Sequence, residues 1–227
     1  MGTDHGGGVP KSTVFARTLS TLKREGSNVL VVGECSGTAH HAACARLVGE
    51  GDQSRQRLYV YTSGTENCSD GPSSTHGGET RVLSQECDDG ESASPAAVAG
   101  DVEEVLVGGE LLGTLGARLL GTIDRFEFDH DPGPGEFRLC FDSVTPLLRE
   151  HQSRTVFRLL HMVTSRTRQA DGIGHFHLPL DRDSDYVRLL EPLFDAVVEV
   201  RRGDGDVLEQ RWHLRDLDAD SGWVAIG

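Results

Sequence analysis

The stretch Val29-Leu-Val-Val-Gly-Glu-Cys-Ser-Gly-Thr-Ala-His-His41 decides the fold class of this chain. Its first four residues form a continuous apolar run, which is typical of a strand that is buried on both faces. The run stops at Gly33, small residues follow, and residues 39–48 have a helical composition. A buried strand that passes through a glycine turn into a helix predicts the start of a parallel α/β sheet.

The turn after this strand has the composition of a phosphate-binding loop without its cation. Such a loop needs glycines whose N–H groups cradle phosphates, a Lys for the β- and γ-phosphates, and a Ser or Thr for magnesium. Counted from Gly33 without a gap, Thr38, Ala39 and His40 take the Gly, Lys and Ser/Thr positions. Counted from Ser36-Gly37-Thr38, His40 takes the Lys position. Neither register supplies a lysine, so a turn that binds no ligand is the alternative interpretation.

A second motif, Phe137-Arg-Leu-Cys-Phe-Asp-Ser143, is an apolar run that ends in an aspartate. In a P-loop enzyme an aspartate at this position supports the magnesium shell beside the loop. The alternative is that Asp142 caps the following turn. Together the two motifs predict a vestigial nucleotide site composed of Gly33, Ser36, Gly37, Thr38, His40, His41, Asp142 and Ser143.

Strand and helix patterns alternate along the rest of the chain. Apolar runs predict strands at 58–61, 137–141, 173–178, 196–200, 207–214 and 223–226. Periodic apolar positions predict helices at 12–26, 39–48, 111–123 and 155–168, and one that ends near Leu190. The alternation predicts a mostly parallel sheet with helices on both faces, and the Gly203-Asp-Gly-Asp206 turn predicts an antiparallel hairpin at its edge. The working site of such a fold lies at the carboxyl ends of the strands.

The domain organisation follows from composition. Residues 1–11 are expected to form a flexible tail, and residues 12–227 a single domain. Within it, residues 63–101 are rich in Gly, Ser, Asp, Glu and Thr and predict a polar, partly disordered surface insertion. A short strand is expected inside that insertion at Arg81-Val82-Leu83.

The charge balance indicates the salt concentration in which the protein works more than the kind of partner it binds. The formal net charge is −14, and only Lys11 and Lys23 among the 22 basic residues are lysines, a composition that resembles the proteins of salt-loving archaea. In molar salt the Debye length is about 3 Å, so a dense acidic surface repels itself little. In ordinary cytoplasm this charge would argue against nucleic acid as a partner, and in a halophile that argument weakens, but the sequence supplies no basic patch that would bind nucleic acid. We expect a cytoplasmic protein without membrane contact, because no apolar run approaches the ~20 residues that span a bilayer.

Cysteines and histidines supply a further alternative. The five cysteines contain no CxxC pair, which indicates neither a disulfide framework nor a zinc site, and several are interpreted as reduced core residues. His175 and His177 lie two apart on a predicted strand and therefore point to one face. With His40, His41 and Asp142 nearby, His177 could complete a transition-metal site made of His40, His41, Asp142 and His177. The competing interpretation is a pair of histidines that face solvent or a satisfied polar pocket.

In the order of these segments the chain resembles the RecA/KaiC branch of P-loop ATPases. Within that branch it closely resembles one haloarchaeal family, whose members are labelled either HTR-like proteins or RecA-superfamily signalling ATPases. Three stretches carry most of the match: Phe141-Asp-Ser-Val-Thr-Pro-Leu-Leu148, Gly174-His-Phe-His-Leu-Pro179 and Leu193-Phe-Asp-Ala-Val-Val-Glu199. The resemblance implies a RecA-like core, ATP or ADP with magnesium as the ligand, and signalling or transducer proteins as partners.

Departures from that family predict lost catalysis. KaiC-like ATPases carry a catalytic Glu after the second strand, where this chain has Thr62-Ser63. Loss of one comparable electrostatic group costs about 10²–10³ in rate, and here both the Lys and the Glu are missing. The sequence therefore predicts a non-hydrolysing domain that acts in regulation or signalling through protein contacts. The alternative is an ATPase with an unusual loop, in which His40, or an arginine supplied in trans by a homo-oligomer partner, stands in for the lysine.

Overall fold

The computed structural model describes residues 11–34, 37–49, 54–62, 78–85, 103–107, 112–215 and 219–226. Within these ranges the strands are β1 Ser27–Val32, β2 Gln56–Tyr61, β3 Thr80–Gln85, β4 Glu103–Val107, β5 Phe137–Phe141, β6 Ile173–Leu178, β7 Ala196–Arg202, β8 Leu208–Leu214, β9 Ala219–Asp220 and β10 Val224–Ala225. The α-helices are α1 Lys11–Arg24, α2 Gly37–Val48, α3 Leu112–His130, α4 Thr145–Glu150, α5 Ser153–Gln169 and α6 Asp185–Leu190.

All the strands belong to one mixed sheet in the order β10-β8-β7-β1-β6-β5-β2-β3-β4, with β9 paired to β8. The seven strands from β7 to β4 in that order run parallel to one another. Beyond them β8 is antiparallel to β7, and β10 is antiparallel to β8. The prediction of a mostly parallel α/β sheet with an antiparallel hairpin at its edge is confirmed.

Helices cover both faces of the sheet because its central strands alternate two sets of apolar side chains. In β1, Leu30 and Val32 pack into the larger core beneath α3, α4, α5 and α6. Val29 and Val31 point the other way and pack with α2 and with partly buried residues of α1. A strand that is apolar on both faces is what a parallel sheet between two helix layers requires.

Several elements lie where the sequence predicts them. Strands β5 and β6 have the predicted bounds, and the short strand expected at residues 81–83 is present as β3. Three of these strands and helices were not predicted, namely β4, β9 and the short helix α4. Residues 1–10, 63–77 and 86–101 lie outside the described residues, so the expected tail and most of the expected insertion are not described. None of the described helices is long and apolar enough to span a bilayer.

Helix α2 is the element that positions the site. It follows β1 and contacts β5, β6, β7 and β8 on its way to β2, which lies three places from β1 in the sheet. Its carboxyl end is capped by two guanidinium groups: Arg55 donates to the carbonyl of Val48 at 3.1 Å, and Arg138 to that of Leu47 at 3.2 Å. Cations at this end also suit the helix dipole.

Gly33 ends β1 in a conformation that only glycine adopts freely. Its φ is +132°, and a Cβ there would lie 2.1 Å from the carbonyl oxygen of Val200 on β7. Both the dihedral angle and the close approach therefore require glycine at this position, whatever the loop binds.

Gly33→Ala is expected to lower the free energy of unfolding by about 2–4 kcal/mol, because strain and a backbone clash coincide at this site. The matched control is Gly121→Ala on the exposed face of α3, where an added Cβ meets nothing within 4 Å. That control should raise stability by about 0.5–1 kcal/mol through helix propensity. Denaturant titration at fixed salt measures both, and equal small effects would contradict the packing described for Gly33.

Candidate functional site

The β1–α2 turn lies at the carboxyl ends of the central parallel strands. β1 sits between β6 and β7, and its connection to β2 passes through α2 on one face of the sheet. The connection from β6 to β7 passes through α6 on the other face, in the larger core. The chain thus diverges at this point, which is where open α/β sheets place their ligand crevice.

Both backbone groups of Gly33 are engaged within the protein. Its N–H donates to the carbonyl oxygen of Leu180 at 2.9 Å. Its carbonyl oxygen lies 2.9 Å from Nε2 of His40, in the first turn of α2. Gly33 is therefore bonded through its N–H to the loop that follows β6, and through its carbonyl to α2.

His40 also contacts β6, through the side chain of His177. Its Nδ1 lies 3.0 Å from Nδ1 of His177, and both side chains are fully buried. A carbonyl oxygen only accepts, so Nε2 of His40 carries the proton and donates to Gly33. In a neutral imidazole Nδ1 is then the acceptor, so His177 donates from its own Nδ1. The result is a directed chain from His177 through His40 to the Gly33 carbonyl, with Nε2 of His177 unprotonated.

The electrostatics of His40 agree with this assignment. Burial, and secondly the nearby His177, lower the pKa of His40 from its ordinary value of 6.5 to about 4, against a smaller opposing effect of the Gly33 carbonyl. The imidazole is therefore neutral at pH 7 and contributes no positive charge to the turn, whichever of the two loop registers is taken.

The other predicted loop residues have different surroundings. Gly37 is the first residue of α2 and is half-buried, Thr38 is exposed, and His41 is half-buried. Ser36 lies outside the described residues.

Asp142 lies at the end of β5 and is held by its neighbours. Its Oδ1 accepts hydrogen bonds from the backbone N–H groups of Thr62 at 3.0 Å and Ser143 at 2.6 Å. The Thr62 hydroxyl is shared between that oxygen at 3.1 Å and the Ser143 carbonyl oxygen at 2.6 Å. Thr62, Asp142 and Ser143 are all buried. Thr62 thus anchors the aspartate through both its backbone N–H and its hydroxyl.

A separate group of ligand-type side chains converges beneath the turn. Among the described residues, the potential ligand atoms of Cys44, Cys140, His175 and His177 all lie within 4.8 Å of one another, and all four side chains are buried. Of the metal set predicted from sequence (His40, His41, Asp142 and His177), only His177 belongs to this group. His40 contacts it from outside through the Nδ1–Nδ1 contact.

Sequence reasoning missed the two cysteines of this group. They form no disulfide and are buried, as expected of core cysteines, but they pack against histidines as well as against apolar residues. Their distance of 96 residues in sequence resembles no metal-binding motif. The only available signal was the His175-x-His177 pair, whose shared face is confirmed.

The chain matches the model of a known protein family over most of its length. The model of a family of unknown function, DUF7504, matches residues 26–200, a range that runs from the start of β1 into β7 and includes every site residue named above. No curated protein matches the chain.

Proposed function

The chain belongs to the DUF7504 family, and we propose that it is a RecA-like P-loop domain that does not hydrolyse ATP and acts in regulation or signalling through protein contacts. The observation that carries the proposal is the hydrogen-bond chain from His177 through His40 to Gly33. A working phosphate loop directs a lysine at its ligand. Here the ungapped register puts Ala39 at that position, and the shifted register puts His40 there, whose two ring nitrogens are both directed into the protein.

The surroundings of Asp142 support the same conclusion. A magnesium-supporting aspartate needs oxygen lone pairs that face the ion's water shell. Oδ1 of Asp142 is instead surrounded by three donor groups from Thr62 and Ser143. The lysine and the catalytic Glu are both missing, so the site lacks two parts that phosphoryl transfer depends on.

Exposed apolar side chains on the helical layer support protein contacts. Phe128 of α3 is 90% exposed, and Met162 of α5 is 46% exposed. Full burial of a Phe side chain is worth about 1.5–3 kcal/mol, so Phe128 is a strong candidate anchor for a partner. The partners that the family resemblance suggests are signalling or transducer proteins, or further copies of the chain.

Nucleotide binding is the direct test of the non-hydrolysing domain. Calorimetry in multimolar KCl with Mg²⁺ is expected to give no ATP or ADP binding tighter than about 1 mM, and no phosphate release. The matched variant is Asp142→Asn, which keeps an acceptor oxygen for Thr62 and Ser143 but removes the charge; it should behave as the wild type does.

Micromolar ATP binding with turnover that Asp142→Asn abolishes would overturn the proposal. If that turnover also requires assembly, so that it rises with protein concentration and coincides with an oligomer in light scattering, the alternative ATPase completed in trans is correct.

The contact at Phe128 has its own test. Affinity capture from a halophile lysate is expected to enrich a signalling or transducer protein, and Phe128→Ser should reduce the yield at least about tenfold. The control is Val224→Ser on β10, an apolar position that is 44% exposed at the far edge of the sheet, and it should leave the yield unchanged. Capture of no signalling component, or equal loss in both variants, would contradict this assignment.

A further inference from the structure

Three elements bring two cysteines and two histidines together inside the core. Cys44 lies on the sheet-facing side of α2, one turn after His40. His175 and His177 occupy alternate positions of β6 and share the face that α2 covers. The β5–β6 register places Cys140 directly beside His175. The convergence therefore follows from strand order and from the crossing of α2, and not from a local motif.

The distances between these side chains suit a shared ion. Cys44 Sγ lies 3.3 Å from Cys140 Sγ and 3.3 Å from Nε2 of His175. Around a tetrahedral ion with Zn–S of about 2.3 Å and Zn–N of about 2.0–2.1 Å, the sulfur–sulfur and sulfur–nitrogen separations are roughly 3.8 and 3.6 Å. Small outward shifts of the ligands would open that space. The present sulfur separation is well beyond the roughly 2.05 Å of a disulfide.

Burial makes the choice of ligands informative. The exposed fractions are 6% for Cys44, 2% for Cys140, and 0% for both histidines. Polar groups at such positions cost desolvation energy that apolar residues would avoid. The surrounding side chains are apolar or aromatic, including Val48, Tyr59 and Val82. Within this layer the four polar groups lie against one another, and a coordinated cation would bring their electron pairs to one point.

The hydrogen bond of His177 to His40 suits metal coordination. Because Nδ1 of the neutral ring donates to His40, Nε2 is the nitrogen that can coordinate a cation. Metal-binding histidines typically donate their other ring N–H to a fixed acceptor, which sets the tautomer and the ring orientation. His40, itself fixed by the Gly33 carbonyl, provides that acceptor.

We propose that Cys44, Cys140, His175 and His177 bind one Zn²⁺ ion in a closed, tetrahedral, structural site. On binding, the two thiols release their protons to solvent and bind as thiolates, while the two histidines bind as neutral imidazoles. The charges of one Zn²⁺ and two thiolates cancel, so the buried unit is neutral and avoids the cost of an uncompensated interior charge. Two sulfur and two nitrogen ligands in tetrahedral geometry favour zinc among the common metals.

The site would fasten α2 to the middle of the sheet. It would also connect the ion, through His177 and His40, to the carbonyl of Gly33. The role is structural because all four positions are filled by protein atoms, which leaves no open position for a substrate.

Metal analysis and X-ray absorption of the wild-type protein test the site without any substitution. Protein purified under reductant, or stripped and reloaded with Zn²⁺, is expected to hold one zinc per chain with two sulfur and two nitrogen neighbours at about 2.3 and 2.0 Å. Chelation should lower the midpoint of thermal unfolding by at least about 10 °C, and added Zn²⁺ should restore it.

Variants identify the ligands. Cys44→Ser and Cys140→Ser should each reduce zinc affinity by at least about a hundredfold, and each should weaken the thiolate-to-metal absorption of the Co²⁺-loaded protein. The triple variant Cys35→Ser/Cys68→Ser/Cys87→Ser is the matched control and should retain full binding.

Four results would overturn the proposal. They are reduced protein that takes up no zinc, a coordination shell without two sulfurs, zinc that persists in the Cys44 and Cys140 variants, and iron or copper found in place of zinc. A Cys44–Cys140 disulfide in protein prepared under reductant would contradict it equally. None of these results depends on whether the domain binds nucleotide.

Discussion

The hydrogen bond from His40 to the carbonyl of Gly33 is the interaction on which the site depends. This hydrogen bond joins the end of β1 to the start of α2. The contact between His40 and His177 joins these two elements to β6. Two neutral imidazoles in series, with a carbonyl at one end, permit only one arrangement of protons. That arrangement leaves Nε2 as the nitrogen of His177 that can accept a proton or a cation. It also engages the Gly33 carbonyl within the protein, so that this oxygen does not face a ligand.

The same turn in an ATP-binding protein presents donors and a cation outward. In this chain the corresponding groups are used to hold the fold together: Gly33 is required by its backbone geometry against β7, His40 faces the core, and Asp142 is bound by Thr62 and Ser143. The strand order places a crevice at this point, and the bonded groups of Gly33, His40 and Asp142 are directed into the protein. The proposed role in protein contacts rests on this inward direction.

The sequence predicted those features that depend on local patterns. Buried strands are visible in the sequence as apolar runs, so β1, β5 and β6 were predicted. β3 was predicted from a three-residue stretch within a polar segment. The cluster of cysteines and histidines under α2 was not predicted, because Cys44 and Cys140 are brought together only by the strand order and the path of α2. Without that order, Cys44 and Cys140 are indistinguishable from ordinary core cysteines. The β4 strand was missed because it follows the polar segment directly, with two acidic residues at its start.

The most direct test of the account is the proton position on the two histidines. Long-range ¹H–¹⁵N NMR correlation of the imidazole nitrogens at neutral pH, with His40→Gln and His177→Gln for assignment, reports the tautomer of each ring. The account predicts that His40 is protonated only at Nε2 and His177 only at Nδ1. A His40 ring protonated at Nδ1, at both nitrogens, or exchanging between tautomers would show that the turn is not closed in this way, and the inward-facing site proposed here would be wrong.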